Sequence, residues 1–272
     1  MREITILVVG ESSQAGALMQ SCPAVCRCEA VEDVAAAVER LAQSEFDLVA
    51  LCCSRRREFN SANVRALQQA APLARIVAVT GSLCAGPWRR SADLLDGASI
   101  IPSHRWPGWL LASGDRLRSK LPALWSFPAT MGNEEWAGFG SSQTVNAQGG
   151  LITIHSSSRD AAEAISDVLS AAGYVTAWQR DEVESVTRGA IASIVDADAW
   201  NDDVADRMSS LRAQHPITPI LLLLNFPLAE DLNAARVTGV SAVVAKPLSH
   251  SEFLAQLRHC VGERKIHRSG AA

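Results

Sequence analysis

The side chains best suited to chemistry stand at the ends of short apolar runs. Asp196 closes the apolar run that begins at Ala190, and Lys246 closes another. Asn225 follows a third run, Ile220 to Leu224. The carboxyl ends of neighbouring parallel strands meet at one edge of a sheet, so these side chains are expected to converge. A carboxylate and an ammonium at such an edge most simply form a resting ion pair.

The loops after the first apolar run of each half carry small polar residues. They read Gly10-Glu11-Ser12-Ser13 and His155-Ser156-Ser157-Ser158. Neither loop matches a GxGxxG turn or a P-loop, which argues against a nucleotide site. Serine-rich helix starts can still bind an anion through their backbone N–H groups, so a small-molecule site stays open as an alternative.

The cysteines are interpreted as thiols of a reducing compartment. Six of the seven lie in the first half, and Cys22, Cys26 and Cys28 are close in sequence. Their spacing lacks a paired CxxC knuckle, and no second cluster would complete four metal ligands. The odd total also argues against a closed disulfide framework. Buried or surface thiols are the simpler interpretation.

A lone histidine and a short basic run are both interpreted without a functional role. His104 is a lone histidine near a predicted strand end, where a hydrogen-bonded structural role is commoner than a ligand role. The basic run Arg55-Arg56-Arg57 falls in a predicted loop and is expected to face water.

The chain repeats one pattern at an offset of about 144 residues. At that offset Cys52 falls on Asp196, Thr80 on Leu224 and Pro102 on Lys246, each at the end of a predicted strand. A shared offset at three strand ends indicates a duplicated unit in which most polar positions differ.

Each half alternates short apolar runs with segments of helical periodicity, which predicts a parallel sheet with helices on both faces. The predicted strands are 4–9, 25–30, 46–52, 75–80 and 98–102, then 151–155, 174–178, 190–196, 219–225 and 241–245. The predicted helices are 13–20, 32–44, 61–70, 88–95 and 108–120, then 159–172, 181–188, 202–214, 229–237 and 249–261.

Composition indicates a globular protein. The 272 residues are 48% hydrophobic and 20% charged, and the net charge is −4. Residues 1–150 carry 14 Lys/Arg against 14 Asp/Glu, and residues 151–272 carry 11 against 15, so bulk charge does not favour nucleic acid. The longest apolar run is too short to cross a bilayer and no secretory leader is visible, so we expect a cytoplasmic protein without a membrane partner.

Two segments lie outside the repeats. Residues 122–150 are rich in Gly, Ser, Asn and Pro but contain Trp125, Phe127, Trp136 and Phe139. Because exposed aromatic rings are costly, the segment is predicted to be a packed strap, with a disordered tether as the alternative. Residues 263–272 are predicted to form a flexible tail.

Residues 151–262 resemble the receiver domain of two-component response regulators, the CheY-like family. The resemblance rests on Val243 to Ser249, which contains Lys246-Pro247, and on Asp196 at the end of the third strand. It implies a flavodoxin-like fold of five strands and five helices, with a cis Lys-Pro bond. Residues 1–121 show the same alternation of predicted strands and helices, and Gly97-Ala98 precede the last strand. They are interpreted as a degenerate receiver-like domain.

The resemblance assigns family roles to specific positions of the second unit. Asp196 takes the phosphoacceptor position, and Lys246 takes the phosphate-contact position. The family's Mg²⁺-binding acid pair is replaced by His155 and Ser156, and its hydroxyl position by Leu224 with Asn225 beside it. We therefore expect Mg²⁺ binding to be lost, with no cofactor.

The first unit retains even less of that chemistry. Cys52 occupies the phosphoacceptor position and Pro102 the lysine position. Thr80 keeps the phosphate-contact hydroxyl, and Gly10 and Glu11 stand at the acid pair. A thiol at Cys52 cannot form the family's acyl phosphate.

These assignments predict a non-catalytic tandem pseudo-receiver that acts through phosphorylation-independent protein–protein interaction. The expected partner is another signalling protein or a second copy of the chain, as a homodimer. One alternative is a phosphoacceptor response regulator that uses Asp196 in a two-component phosphorelay. Another is a small-molecule-binding flavodoxin-like protein.

Overall fold

The computed structural model describes residues 3–24, 26–55, 58–81, 95, 98–118, 149–180 and 189–269, with the backbone alone for 114–118 and 263–269. The chain divides into two compact units, Met1–Ser141 and Ser142–Ala272. Several sequence predictions lie outside the described residues: helix 88–95 apart from Leu95, helix 181–188, and the aromatic segment 122–148.

The first unit alternates strands and helices as the sequence predicts. Its strands are β1 (Ile4–Val9), β2 (Cys26–Val31), β3 (Leu48–Cys53), β4 (Arg75–Thr80) and β5 (Ser99–Pro102). Its described helices are α1 (Ser12–Gln20), α2 (Val34–Gln43), α3 (Ser61–Ala70) and α4 (Trp106–Arg118), with a 3-10 turn at Ser103–Arg105.

The second unit repeats this order. Its strands are β6 (Leu151–His155), β7 (Val175–Gln179), β8 (Ala190–Asp196), β9 (Ile220–Asn225) and β10 (Ala242–Lys246). Its described helices are α5 (Arg159–Ala171), α6 (Asp202–Gln214), α7 (Ala229–Val237) and α8 (His250–Ser269).

Each unit contains one five-stranded parallel sheet. The strand orders are β2-β1-β3-β4-β5 and β10-β9-β8-β6-β7. Counted within its own unit, each is the order 2-1-3-4-5 of the flavodoxin-like fold, which places functional groups at the carboxyl ends of the strands. The predicted fold class is confirmed: two flavodoxin-like α/β units, each with a parallel sheet.

Helices cover both faces of each sheet. Strand side chains alternate between the two faces, so each strand contributes to both apolar layers. In β1, Ile6 and Val8 pack with Trp106 and Leu110 of α4, whereas Leu7 packs on the opposite face with residues of α2 and α3. The second sheet is covered on one face by α5 and α8 and on the other by α6 and α7. Two apolar layers per sheet explain why the central strands β1, β3, β8 and β9 are mostly apolar, whereas the edge strands β2 and β7 carry polar and exposed residues.

The last helix differs from the sequence prediction. Helix α8 continues to Ser269, whereas the sequence predicts an end at 261 and a flexible tail from 263. The added residues include Glu263, Arg264 and Lys265, which are good helix formers, but they lack the apolar periodicity by which a helix is detected.

No helix in the described ranges is long and apolar enough to cross a membrane.

Candidate functional site

The candidate site lies at the carboxyl edge of the second sheet. Asp196 is the last residue of β8 and Lys246 is the last residue of β10, on either side of β9. Strand pairing places Asp196 opposite Leu223, and Lys246 opposite Asn225. The parallel sheet therefore brings the predicted residues to one edge. The peptide bond between Lys246 and Pro247 is cis, as the resemblance implies.

The Asp196 carboxylate has a partner on each oxygen. Lys246 Nζ lies 2.7 Å from Oδ1, which confirms the predicted ion pair. The Ser156 hydroxyl lies 2.8 Å from Oδ2 and donates to it. The Asp196 side chain is only 11% exposed, so these two contacts replace most of its hydration. The chain itself thus neutralises and orients this carboxylate.

Ser156 is fixed in turn by its own loop. Its side chain is fully buried, and its Oγ accepts the backbone N–H of Ser158 at 3.1 Å. The indole N–H of Trp178, on β7, donates to the Ser156 carbonyl oxygen at 3.0 Å. The Ser156 N–H also points to the Gln179 carbonyl oxygen at 3.4 Å. One contact therefore fixes the hydroxyl of Ser156, and two others fix its backbone.

Asn225 and Asp198 form the outer part of the site. The Asn225 amide donates to Asp198 Oδ1 at 3.1 Å, and the Asn225 backbone N–H donates to the Asp198 carbonyl oxygen at 3.0 Å. Lys246 Nζ lies 3.8 Å from the same Asp198 Oδ1, which is a weaker contact because the Asp198 side chain is 95% exposed. Asn225 therefore contacts Asp198 rather than Asp196.

His155 contributes no negative charge to the site. Its pKa is lowered to about 4, chiefly by burial and secondarily by the nearby Arg207 and His215. The imidazole is therefore neutral near pH 7. A neutral ring offers one nitrogen acceptor and no carboxylate oxygen, which a hard cation such as Mg²⁺ prefers.

Strand register corrects which residues of the two first loops correspond. Val9 lies opposite Leu51, and His155 lies opposite Val195, so His155 matches Val9. Ser156 then matches Gly10, and the exposed Ser157 matches Glu11. From the end of its first strand to the paired residue of its third strand, the second unit is two residues shorter than the first unit. A constant offset between the halves therefore did not identify Ser157 as the counterpart of Glu11.

Cys52 in the first unit is a buried and unreactive thiol. Its pKa is raised to about 12, mainly by burial and secondarily by the charge of Glu58. A Cβ on Gly10 would lie 2.7 Å from the Cys52 Cβ, and Gly10 has φ +153°. The loop after β1 therefore packs directly on the end of β3, where a carboxylate side chain at position 10 would not fit.

The remaining predicted residues of the first unit do not form a charged site. Thr80 is 2% exposed and lies opposite Pro102 at the ends of β4 and β5. The Glu11 carboxylate accepts from Gln14 Nε2 at 3.4 Å on the surface. His104 lies in the 3-10 turn, where burial and then the charge of Arg105 lower its pKa.

In the described part of the chain, no group of three or more His, Cys, Asp or Glu side chains is arranged to hold a metal ion. The expected loss of Mg²⁺ binding stays a prediction. What the second unit offers is the Asp196 carboxylate, the Ser156 hydroxyl that donates to it, and the Lys246 ammonium group.

Comparison with known proteins adds a set of similar structures. No family model matches the sequence, and no curated protein matches it. Solved structures similar to the chain are response-regulator receiver domains, as the sequence resemblance predicts.

Three solved structures illustrate that similarity. The ADP complex of NtrX from Brucella abortus is 18% identical over 46% of this chain and 29% of that one, with a TM-score of 0.41. The signal receiver domain of an HD domain-containing protein from Pseudomonas fluorescens Pf-5 is 20% identical over 44% of this chain and 99% of that one, with a TM-score of 0.39. CheY4 of Vibrio cholerae is 18% identical over 41% of this chain and 98% of that one, with a TM-score of 0.36. This chain therefore spans under a third of the NtrX chain.

Proposed function

We propose that the chain is a non-catalytic signalling protein, a tandem of two receiver-like units that acts by binding another protein without being phosphorylated. The observation that carries this proposal is the Asp196 carboxylate, which is bound on both oxygens by Ser156 and Lys246 of its own chain. Each oxygen already accepts one contact from the chain, so attack on phosphorus would have to compete with the Ser156 hydrogen bond or the Lys246 ion pair.

The loss of acidic metal ligands supports the same proposal. Phosphoryl transfer relies on a metal ion to offset the charge of the phosphoryl group near the nucleophile. Mg²⁺ binds carboxylate oxygens and gives up its water reluctantly. The loop after β6 offers serine hydroxyls in place of carboxylates, and His155 at the end of β6 carries a neutral imidazole. We therefore infer that Mg²⁺ does not bind at this edge and that no cofactor is used.

The first unit supports a binding role for a different reason. Cys52 occupies the nucleophile position as a buried thiol, and Gly10 packs against it. A fold kept intact while its reactive edge is closed is consistent with selection on surface and shape rather than on chemistry.

Exposed apolar side chains around α7 support a partner surface on the second unit. Phe226 is 70% exposed and has a positive φ of 45°, a conformation that costs free energy for a residue with a side chain. Leu228 and Val237 are also exposed, at 49% and 89%. We infer that this region binds another signalling protein or a second copy of the chain, as a homodimer.

One observation favours a second candidate function. Asp196 and Lys246 are both kept, and their side chains lie 2.7 Å apart. A phosphorelay protein that uses Asp196 would need both groups. Such a protein would have to open the Asp196 contacts before each phosphoryl transfer.

The test is to restore the missing acids and measure Mg²⁺ binding by titration calorimetry. Wild-type protein is expected to give no saturable heat at millimolar Mg²⁺. The Ser156→Asp, Ser157→Asp double variant supplies carboxylates at the two positions that strand register matches to Gly10 and Glu11, and it is expected to bind Mg²⁺ in that range.

The matched control is the same double variant with Asp196→Asn, which removes the central carboxylate and should weaken binding again. Asp196→Asn alone should leave protein–protein binding unchanged. Saturable Mg²⁺ binding by the wild type that disappears in Asp196→Asn would instead favour the phosphorelay function.

A further inference from the structure

Strand β7 is an unprotected edge of the second sheet. It stands at the end of the strand order, next to β6. Its five residues include no charged side chain and no proline, and two large side chains, Val175 and Trp178, are 64% and 43% exposed. Edge strands normally carry charges or proline, because their outward backbone groups can pair with another chain. Strand β7 is therefore open to strand pairing.

The other edge strands of the two described sheets carry such protection. Strand β2 has the same place in the first unit and contains Arg27 and Glu29, whose charged groups lie 3.7 Å apart. Strand β5 has only four residues and ends in Pro102. Strand β10 ends in Lys246. Strands β2 and β7 are equivalent in the repeat, so their difference lies in the side chains and not in the fold.

The backbone of β7 presents two residues to the open edge. The Val175 N–H donates to the Gly150 carbonyl oxygen at 2.9 Å, just before β6, so Val175 faces β6. Backbone groups of successive residues in a strand point to opposite sides, so Ala177 also faces β6, whereas the N–H and C=O groups of Thr176 and Trp178 point outward. Among the described residues, these outward groups have no backbone partner.

The outward groups are placed symmetrically about the middle of the strand. An antiparallel pair with a two-fold axis at Ala177 sets Thr176 of each copy opposite Trp178 of the other. Each of these pairs exchanges two backbone hydrogen bonds, about four in total. Ala177 then faces its own counterpart at the position where the two strands are closest, and its methyl group fits there.

Neither charge nor disorder opposes this pairing. Val175 lies opposite Gln179 of the other copy, so no two charged side chains of β7 meet. The strand is already ordered on its outer side: Thr176 Oγ1 lies 2.6 Å from Ser166 Oγ, and the Trp178 indole donates to the Ser156 carbonyl oxygen. Ordered side chains lose little further entropy on association.

We propose that β7 pairs antiparallel with β7 of a second copy of the chain, which joins the two sheets into one. This surface goes beyond the proposed function. Strands β7 and β10 are opposite edges of the sheet, and α7 packs near β9 and β10. The exposed side chains around α7 therefore stay available to a different partner.

Sedimentation velocity of the full-length protein at increasing concentration tests the association. Wild-type protein is expected to shift from monomer to dimer, at high concentration because a five-residue strand pair is a small interface. Ala177→Lys sets two ammonium groups face to face at the axis and should weaken the dimer at least about tenfold. Ala177→Glu should weaken it similarly with two carboxylates.

An equimolar mixture of these two variants separates repulsion from misfolding. The mixture sets an ammonium group opposite a carboxylate, so a mixed dimer should form although neither variant dimerises alone. Val237→Lys is the matched control, because it adds the same charge at an exposed residue of α7. It should dimerise like the wild type.

A disulfide tests the register. In Ala177→Cys the two sulfurs are within reach, since the Cα atoms of such a pair lie about 4.5 Å apart. Trypsin cuts after Arg159 and Arg180, and peptide 160–180 contains no native cysteine, so the oxidised variant should yield this peptide linked to itself. Val175→Cys should not, because its counterpart lies about 13 Å away along the strand.

Four outcomes would overturn the proposal: wild-type protein that stays monomeric at every concentration, dimers that persist in both charge variants, folded charge variants that do not associate when mixed, or self-linkage that is equal in Val175→Cys and Ala177→Cys. Loss of the dimer in Val237→Lys but not in Ala177→Lys would also overturn it, and would place the dimer contact at α7.

Discussion

At the scale of single residues, the account depends on the state of the Asp196 carboxylate. Lys246 and Ser156 each engage one of its oxygens at 2.7 and 2.8 Å. A partly buried ion pair adds little net stability, because the loss of hydration offsets much of the attraction. Its consequence here is chemical: the Asp196 carboxylate is neutralised and oriented by its own chain.

The titration of His155 gives a residue-scale prediction about stability. Its pKa in the folded protein is lowered to about 4 from 6.5, because burial disfavours the charged imidazole. The unfolded chain therefore binds more protons as pH falls through about 6.5, and the folded protein loses stability until about pH 4. From about pH 7 to pH 5 this one group should remove on the order of 2 kcal/mol from the free energy of unfolding.

Urea unfolding of His155→Gln at the two pH values measures that contribution. The variant should lose less stability than the wild type on acidification, because glutamine does not titrate. His250→Gln, at the exposed start of α8, is the matched control and should follow the wild type. Equal acid losses in His155→Gln and the wild type would show that the imidazole is protonated freely in the folded state.

At the scale of elements, the ends of β1 and β3 determine what the first unit can do. Gly10 follows β1 and meets Cys52 of β3, where an added Cβ would come within 2.7 Å of the Cys52 Cβ. Gly10→Ala should therefore destabilise the protein by about 1 to 3 kcal/mol, from this contact and from φ +153°. Chemical denaturation with a two-state fit measures the change.

A second glycine serves as the control for that substitution. Gly16 lies inside α1, and an added Cβ there would meet nothing within 4 Å. Gly16→Ala should raise the stability by about 0.5 to 1 kcal/mol, because alanine favours the helix. If Gly10→Ala were as stable as Gly16→Ala, the loop after β1 would not be closed against Cys52.

The sequence predicts elements well where burial is regular and poorly where it is not. The predicted bounds of β1, β8 and α6 match the structure, since each is an apolar or amphipathic run with clear ends. The end of α8 is predicted too early because its last turns are polar. Gly262 resembles a helix stop, yet the helix passes through it, and no atom within 4 Å would meet an added Cβ there.

Sequence reasoning about the site succeeded for charges and failed for geometry. The pairing of Asp196 with Lys246 follows from opposite charges at neighbouring strand ends. The contact from Ser156 and the hydrogen bond from Trp178 depend on the conformation of a loop, which residue types alone do not specify. The correspondence of Ser157 with Glu11 required the strand register.

At the scale of the whole molecule, two flavodoxin-like units of one chain share a fold and differ in their reactive edges. The second unit retains a charged pair, and the first buries a thiol at the equivalent position. The predicted aromatic strap with Trp125 and Trp136 lies outside the described residues and stays a prediction. In both units the residue at the phosphoacceptor position is held by contacts within its own unit, and on this rests the proposal that the protein acts by binding rather than by phosphoryl transfer.

The most direct test of that claim is the intact mass of the full-length protein after incubation with Mg²⁺ and acetyl phosphate. A receiver domain known to accept phosphate, treated in parallel, verifies the reagent. We predict that the mass and the sedimentation coefficient of this protein do not change, because both Asp196 oxygens accept contacts from the chain and the loop after β6 contains no carboxylate. A Mg²⁺-dependent, base-labile gain of about 80 Da that disappears in Asp196→Asn would contradict the account.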